Sequence, residues 1–462
     1  MRFTLSEAAA AVKGSAPSGA PGTMCSGVSI DTRTLKAGDL FVAIRGAHFD
    51  GHAFLEKAAE AGASAFIVGR GAAVPPGAAA IEVDDTERAL GDLAAWWRSR
   101  FSMPRVAITG SNGKSTTKEM TASIAEALGP VLKTEGNFNN LIGLPLTVFR
   151  MDDAHRVAIL EMGMNAPGEI ARLTGIADPT VGIITNVTAA HLERLHDVDT
   201  VARAKGELFE TMREDAVAVV NGEDRRVREL GRCRKSRTII FGMQNDFDVR
   251  FLHMETTGLE SMDLKIAVMG REYEAKLPVP GAHNVMNALA AVSVGVALGV
   301  DAGEAVERLS RFRPMSMRME RVQLANGARV VNDSYNANPE SMKAAFRTVG
   351  SARRAGRFVA ALGDMLELGA ASAELHRQVG EAAAQMGVGR LYVVGEFARE
   401  LAAGAKGGGL KDSEIIICDG VESVSSLVES ELKAGDVLLV KGSRGMRMER
   451  IVERLKSSIG TD

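Results

Sequence analysis

Between Val106 and Phe241, short β-rich runs alternate with helical stretches: 106–109, 157–160, 181–184, 217–220 and 238–241. This alternation leaves few folds open. Strands that are apolar along their whole length are buried on both faces, so the pattern predicts a mostly parallel sheet with helices on each side. Several runs end in a polar residue or glycine, at Thr109-Gly110, Glu161, Thr185-Asn186 and Asn221-Gly222. Ligands of open α/β sheets bind at the carboxyl ends of the strands, so these positions are expected around one crevice.

The strongest local signal lies at the first of these strand ends, Thr109-Gly-Ser-Asn-Gly-Lys-Ser-Thr116. A strand feeds a glycine-rich loop and Gly113-Lys114-Ser115 opens a helix. Backbone amides at a helix start cradle phosphate, a lysine here neutralises β/γ oxygens, and a following serine is a magnesium ligand. The spacing is a shortened GxxGKS form, because the full phosphate-loop motif would need glycine where Ile108 stands. The plainer alternative is a strand-to-helix turn with a chance lysine.

On either side the pattern changes. Residues 1–84 hold strands near 38–44 and 65–68 around a helical stretch, Ala53 to Ala61, and a helix from about Thr86 to Arg100 leads into the alternating region. The alternation breaks at 247–277, where 264–268, a Gly270-Arg271 turn and 273–277 read as an antiparallel hairpin. A helix from His283 to Leu298 closes the middle. From about 314 a third α/β unit has strands near 328–332, 358–362, 391–394, 414–417 and 436–440; Ala402 to Gly409 reads as a Gly/Ala loop. The expected division is therefore 1–84, 85–313 and 314–462. The length supports it, since 462 residues at about 100–200 per domain allow two to four.

Composition removes several function classes. Lys and Arg number 55 against 58 Asp and Glu, a formal charge of −3, without the basic excess of a nucleic-acid binder. No run approaches the roughly 18 apolar residues of a membrane span. Cys25, Cys233 and Cys418 lie far apart, so neither a disulfide framework nor a zinc site is indicated. The first residues, with Glu7 and Lys13, lack the apolar core of a signal peptide, and no export is expected.

Three downstream residues suit a magnesium triphosphate. Glu161 ends a buried strand, His191 follows the 186–190 segment, and Lys205 lies on a helix. A carboxylate is a natural ligand for a hard cation, whereas histidine suits magnesium less well and an ammonium cannot ligate. Alternatively Glu161 caps a helix, His191 is an ordinary loop histidine and Lys205 a solvated one. Asn137, Asn139, Asn140, Asn336 and Asn338 are loop amides suited to reading peptide groups without adding charge, or simply Asx turns.

The chain resembles the Mur ligase family along nearly its whole length. The matching segments include Asp31-Thr-Arg33, Asp50-Gly-His52, the phosphate loop, Gly136-Asn-Phe-Asn-Asn140, His191-Leu-Glu193, Ala204-Lys-Gly-Glu207, Gly281-Ala-His-Asn284, Asn332-Asp-Ser-Tyr-Asn-Ala-Asn-Pro339, Gly363-Asp-Met-Leu-Glu-Leu-Gly369 and Lys441-Gly-Ser-Arg-Gly445. The loop and the His/Lys pair are shared with folylpolyglutamate synthases, while the GNFNN, DSYNANP and GDMLELG segments point to the branch that adds a dipeptide.

The resemblance implies an ATP-dependent ligase with three α/β domains: a small N-terminal one, a central phosphate-loop one and a C-terminal Rossmann-like one. It would join D-alanyl-D-alanine to UDP-N-acetylmuramoyl-tripeptide through an acyl phosphate, as a cytoplasmic monomer without nucleic-acid or membrane partners. The implied ATP site comprises Gly110, Ser111, Asn112, Gly113, Lys114, Ser115, Thr116, Asn284, Arg318 and Asp333. Two magnesium ions would be held by Ser115, Glu161, His191 and Lys205, with Lys205 carbamylated and so carboxylate-like. Asp31, Arg33, Asp50 and His52 would bind the uridine diphosphate end, unless Asp31 and Asp50 merely shape turns. Met317 stands where the family commonly has glycine. Competing readings are another amino-acid ligase of the group, a folylpolyglutamate synthase, and a phosphate-loop NTPase switch, which would hydrolyse ATP without an amine acceptor.

Overall fold

The computed structural model describes residues 1–15, 20–46, 49–188, 195, 197–352 and 356–461. Three main sheets follow one another along the chain. The first has four parallel strands in sequential order, β1 (Gly27–Ser29), β2 (Asp39–Val42), β3 (Ala65–Gly69) and β4 (Ala80–Val83). Side chains alternate across it: Leu40 and Val42 enter one core and Phe41 and Ala43 the other.

Helix α1 (Thr86–Arg98) starts on Asp85, whose carboxylate accepts from the Glu87 and Arg88 amides, and it stops two residues before the expected Arg100. Its buried residues Leu90, Leu93 and Trp97 share one core with Leu5 and Ala8 on one side and Ile170, Leu173 and Ile176 on the other. The first unit is thereby fixed to the second by apolar packing. Arg98 and the buried Arg105 both reach Asp178, at 2.9 and 3.0 Å, and reinforce the joint.

The second sheet has nine strands: β5 (Arg105–Thr109), β6 (Val131–Lys133), β7 (Val157–Glu161), β8 (Val181–Ile184), β9 (Val217–Asn221), β10 (Thr238–Gly242), β11 (Val249–Thr257), β12 (Ser261–Val268) and β13 (Arg271–Leu277). Their order is β13-β12-β11-β10-β9-β8-β5-β7-β6. The chain leaves β5 for one edge and returns on its other side, so the switch point of the sheet, where ligands bind, lies at the end of β5. The central strands are apolar on both faces. Ile108, Ile159 and Ile183 pack beneath α2 (Lys114–Ala125) and α4 (Ala282–Ala297), while Ala107, Leu160 and Ile184 pack beneath α1 and α3 (Val198–Thr211).

The third sheet runs β14-β15-β19-β16-β17-β18, comprising β14 (Glu320–Gln323), β15 (Arg329–Asn332), β16 (Phe358–Leu362), β17 (Arg390–Val394), β18 (Ile415–Cys418) and β19 (Val437–Lys441). Only β14 is antiparallel. Helices α5 (Pro339–Ala352), α6 (Ser372–Gln385) and α7 (Ala398–Gly407) contribute to the core on one face. No described helix is long and apolar enough to cross a membrane.

Two expectations need correction. The antiparallel hairpin is a three-stranded ribbon, because β11 pairs with β12 as well. Its tip reaches the third unit: Leu259 is buried in that unit's core, and the Leu259 carbonyl accepts from Arg321 at 3.0 Å. The segment 402–409 is mostly helix α7, not a loop. Its small residues let α7 approach α6 closely; a Cβ on Gly404 would stand 1.8 Å from the Arg377 carbonyl, and one on Gly380 would stand 2.0 Å from that of Leu401.

Ile183 is fully buried at the centre of the nine-stranded sheet, between Ile108 and Val219. Ile183→Ala leaves a cavity there and costs about 2–5 kcal/mol. The check is a lowered urea midpoint for the transition that includes this sheet.

Candidate active site

The loop after β5 is held by close approach to the end of β8. Gly110 has φ 148°, and a Cβ on it would stand 1.9 Å from Thr185 Oγ1; Gly113 has φ 81°, and its Cβ would meet Asn287 Oδ1 at 2.3 Å. Only glycine satisfies both backbone and space at these two positions. The Ser111 amide donates to the Asn186 carbonyl at 2.9 Å, the Asn112 amide to Asn186 Oδ1 at 2.9 Å, and Thr185 Oγ1 to the Asn112 carbonyl at 2.6 Å. The loop is therefore shaped before any ligand arrives. With the Asn112 carbonyl engaged by Thr185 and Asn186, the amides around 113–116 remain at the start of α2, the arrangement that binds phosphate.

Lys114 folds back on this loop, its Nζ donating to the Gly110 carbonyl at 2.8 Å. Burial lowers its pKa, Glu161 opposing and Arg318 adding to the shift. Glu161, at the end of β7, is 2% exposed. Its Oε1 accepts from Asn139 Nδ2 at 2.9 Å, and its amide donates to Thr134 Oγ1 at 3.0 Å. Glu161 Oε2 is buried and has no hydrogen-bond donor among the described residues. An anionic oxygen in that state fits a hard cation.

Lys205 is 1% exposed on α3, which disposes of the solvated-helix alternative. Burial first, and then the Lys114 charge, push its pKa well below the ordinary lysine value. Both effects favour the neutral amine over the ammonium. Two residues later, Glu207 accepts from the Gly168 and Ala171 amides, at 2.7 and 3.0 Å, and so locks the same helix to the start of an earlier one, Glu169–Ala177. His191 lies outside the described residues. Among the described residues no three His, Cys, Asp or Glu side chains form a metal-binding group. A magnesium ion here would rest on Ser115 and Glu161 and draw its other ligands from phosphate and water, as this ion usually does.

The third unit closes over this floor to leave a cleft of about 690 Å³ lined by residues of both units. Arg318 Nη2 donates to Ser115 Oγ at 2.9 Å, and its guanidinium lies over the Tyr335 ring, 4.0 Å from the centroid. It is flanked by Met317 and Met319, with φ 58° and 51°, so the glycine expected before the arginine is replaced by a side chain in the left-handed region. This costs about 1–3 kcal/mol per residue. The conformation is held by bonds from the Met317 amide to Glu320, from the Met319 amide to Asp333 and from the Tyr335 amide to the Met317 carbonyl. Lys441 and Asp333 form a buried pair nearby. Asn338 Nδ2 reaches across the cleft to Asn112 Oδ1 at 2.6 Å.

The cleft thus gathers Ser111, Asn112, Gly113, Lys114, Ser115, Thr116, Glu161, Asn284, Arg318 and Asp333 with Asn137, Asn139, Asn140, Asn336 and Asn338. Asn140 also makes an Asx turn, accepting from the Gly143 amide at 2.8 Å, and Asn338 accepts from Ser341 at 2.9 Å. Asp31, Arg33, Asp50 and His52 do not line it. Asp31 accepts from the Arg33 side chain and amide, which hold its pKa at about 2. Asp50 accepts from the His52 amide and ring, again with a pKa of about 2; His52 Nε2 accepts from Gly69 at 2.9 Å, so Nδ1 is the donor. Both carboxylates shape turns. Sequence reasoning missed Asn287 and Tyr335. Asn287 lies three residues after Asn284, one helical turn, and donates to it at 3.0 Å while pressing on Gly113.

The Mur ligase middle domain model matches residues 108–295, the glutamate ligase domain model 317–444, and the Mur ligase family catalytic domain model 25–98. The UDP-N-acetylmuramoyl-tripeptide--D-alanyl-D-alanine ligase of Bacillus subtilis is 36% identical, over 94% of each chain. A crystal structure of MurF from Acinetobacter baumannii superposes with a TM-score of 0.90 at 30% identity, over 99% of both chains. MurF of Thermotoga maritima in complex with ADP gives 0.82 at 29% identity, covering 94% of this chain and 97% of that one.

An apolar side chain at position 205 removes the cost of burying an amine. In carbon-dioxide-free buffer, Lys205→Met raises the thermal midpoint near pH 7. The unfolded lysine binds a proton that the folded one releases, so parent stability rises with pH up to the ordinary lysine pKa of about 10.4. The advantage of the variant therefore shrinks over that window, which paired thermal scans at neutral and alkaline pH detect.

Proposed function

The chain belongs to the Mur ligase family, and from that premise we infer that it is an ATP-dependent ligase adding D-alanyl-D-alanine to UDP-N-acetylmuramoyl-tripeptide in peptidoglycan precursor synthesis. The observation that carries the residue assignment is the meeting at Ser115 of the phosphate loop with Arg318 from the third unit, beside a carboxylate whose Oε2 has no donor among the described residues. That is a site for a triphosphate and its cation, open to a second substrate from above.

A carboxylate is a poor acyl donor and must be activated. The tripeptide carboxylate attacks the γ-phosphoryl group of ATP in line, giving an acyl phosphate and ADP; the dipeptide amine then attacks the acyl carbon and phosphate leaves. Lys114 swings from the Gly110 carbonyl to the phosphate oxygens, and Arg318 exchanges Ser115 for the γ-phosphoryl group. Asn284 and Asp333 serve the nucleoside, and Asn137, Asn139, Asn140, Asn336 and Asn338 the peptide groups. Ser115 and Glu161 would hold one magnesium ion, and His191 with modified Lys205 a second, and the ions would supply charge neutralisation to the phosphate groups.

Lys205 fits carbamylation on its own chemistry. A neutral buried amine has a free lone pair for the carbon of carbon dioxide; the N–C bond forms, a proton leaves, and a carboxylate-like group replaces an amine that could not ligate as an ammonium. The first unit, about residues 1–84, takes the uridine diphosphate end, with Asp31, Arg33, Asp50 and His52 acting through the turns they hold. The third unit, from about 314, excludes water from the acyl phosphate when it closes. The reaction is placed in the cytoplasm and in a monomer.

ADP release with UDP-muramoyl-tripeptide is expected to proceed steadily only when D-alanyl-D-alanine is added; turnover indifferent to the dipeptide removes this reading in favour of a nucleotide switch. Lys114→Ala lowers turnover by about 10²-fold or more while changing stability far less, measured by ADP release beside thermal melting. Lys205→Ala loses most activity, and added bicarbonate does not restore it; near-normal rates would take carbamylation out of the mechanism.

A further inference from the structure

Lys118 stands one turn beyond Lys114 on α2, and the roles assigned above leave it unused. Its side chain is 2% exposed. Lysine is almost never so deeply buried without partners. Here Nζ donates to the Thr134 carbonyl at 2.6 Å, lies 3.2 Å from Glu119 Oε1, and lies 3.9 Å from Glu161 Oε2. Glu119 in turn meets Lys133 from β6. Charges of alternating sign, Lys133, Glu119, Lys118 and Glu161, therefore run inward to the cleft.

Thr134 is the corner of this arrangement. Its carbonyl is held by Lys118, its hydroxyl takes the Glu161 amide, and it opens the loop that brings Asn139 to Glu161 Oε1. Oε1 is thus set by the loop. Oε2, without a hydrogen-bond donor among the described residues, is steered by the Lys118 ammonium, too far for a hydrogen bond and near enough for Coulomb attraction, while the Lys114 charge acts on the same carboxylate from the loop.

We propose that Lys118 is a positioning residue for the ligase reaction, joining the phosphate-binding helix to the Thr134–Asn140 segment and fixing how the Glu161 carboxylate faces the nucleotide. This rests on the reading of Glu161 as the magnesium-facing carboxylate. Glu119 already balances the ammonium charge, so Lys118 acts on an incoming cation through geometry more than through repulsion. Without it, Glu119 keeps Lys133 and Glu161 keeps the Lys114 charge, but no cation stands between the two carboxylates, and Glu161 turns away from Glu119.

Calorimetry of ADP binding to the full chain, with and without magnesium, tests this; the ratio of the two affinities is the magnesium increment. Lys118→Met is expected to bind ADP without magnesium within about twofold of the parent, because Lys114 and the loop amides are untouched, while the increment falls about tenfold. Lys118→Arg, which keeps a charge and a donor, recovers most of it. A role in stability alone would lower the melting temperature and leave the increment unchanged. An increment in folded Lys118→Met equal to or above the parent's overturns the proposal. Should that variant not fold, Lys118→Gln, which keeps a donor for the Thr134 carbonyl, is measured with the same expectation. An intact increment in Glu161→Gln overturns the magnesium reading itself, and the proposal with it.

Discussion

The approach of Gly110 to Thr185 decides the shape of everything around it. No side chain fits between the end of β5 and the end of β8, so the backbone turns there and the Asn112 carbonyl is spent on Thr185 and Asn186. The amides at the start of α2 are left to a ligand. Because β7 lies on the other side of β5, Glu161 necessarily stands beside the same loop. Phosphate and cation chemistry are neighbours here because of strand order.

Charge is handled locally throughout the site. A chain of formal charge −3 has no general attraction for anions, yet its predicted substrates are anionic. Lys114 and Arg318 bring positive charge to one cleft, Lys441 is balanced there by Asp333, and burial and the Lys114 charge both oppose protonation of Lys205. The two lysines differ by environment alone, one at a helix start facing the cleft, the other enclosed within α3 packing.

Much of the architecture was legible because central strands announce themselves: 106–109, 157–160, 181–184 and 358–362 are apolar on both faces and admit little else. Edge elements do not. β6 is three residues long and β14 carries Glu320 and Arg321, so neither has the signature of burial, and β11, though inside its sheet, exposes much of its outer half. Helix α7 was hidden by its glycines, which lower helix propensity; packing against α6 supplies what propensity lacks. In the site, the phosphate loop could be read directly. The burial of Lys205 and the bond from Asn139 to Glu161 could not, since both join segments far apart in the chain whose proximity only strand order reveals. The glycine missing before Arg318 did not move the arginine, because hydrogen bonds to Glu320 and Asp333 hold the left-handed turn without it.

The insertion of Leu259 into the third unit has a mechanical meaning. The first two units are welded by a shared apolar core, but among the contacts described here the third meets the middle one by an apolar plug at the ribbon tip and by polar bonds at the cleft, Arg318 to Ser115 and Asn338 to Asn112. Rotation about the plug exchanges those bonds for water and keeps Leu259 covered. The neutral Asn338 bond is worth about 0.5–1.5 kcal/mol net and the charged Arg318 bond about 1.5–3 kcal/mol, so the swing stays within thermal reach. Occupancy of the cleft then sets how long it remains shut, which suits a catalyst that must enclose an easily hydrolysed intermediate and afterwards let a large product go.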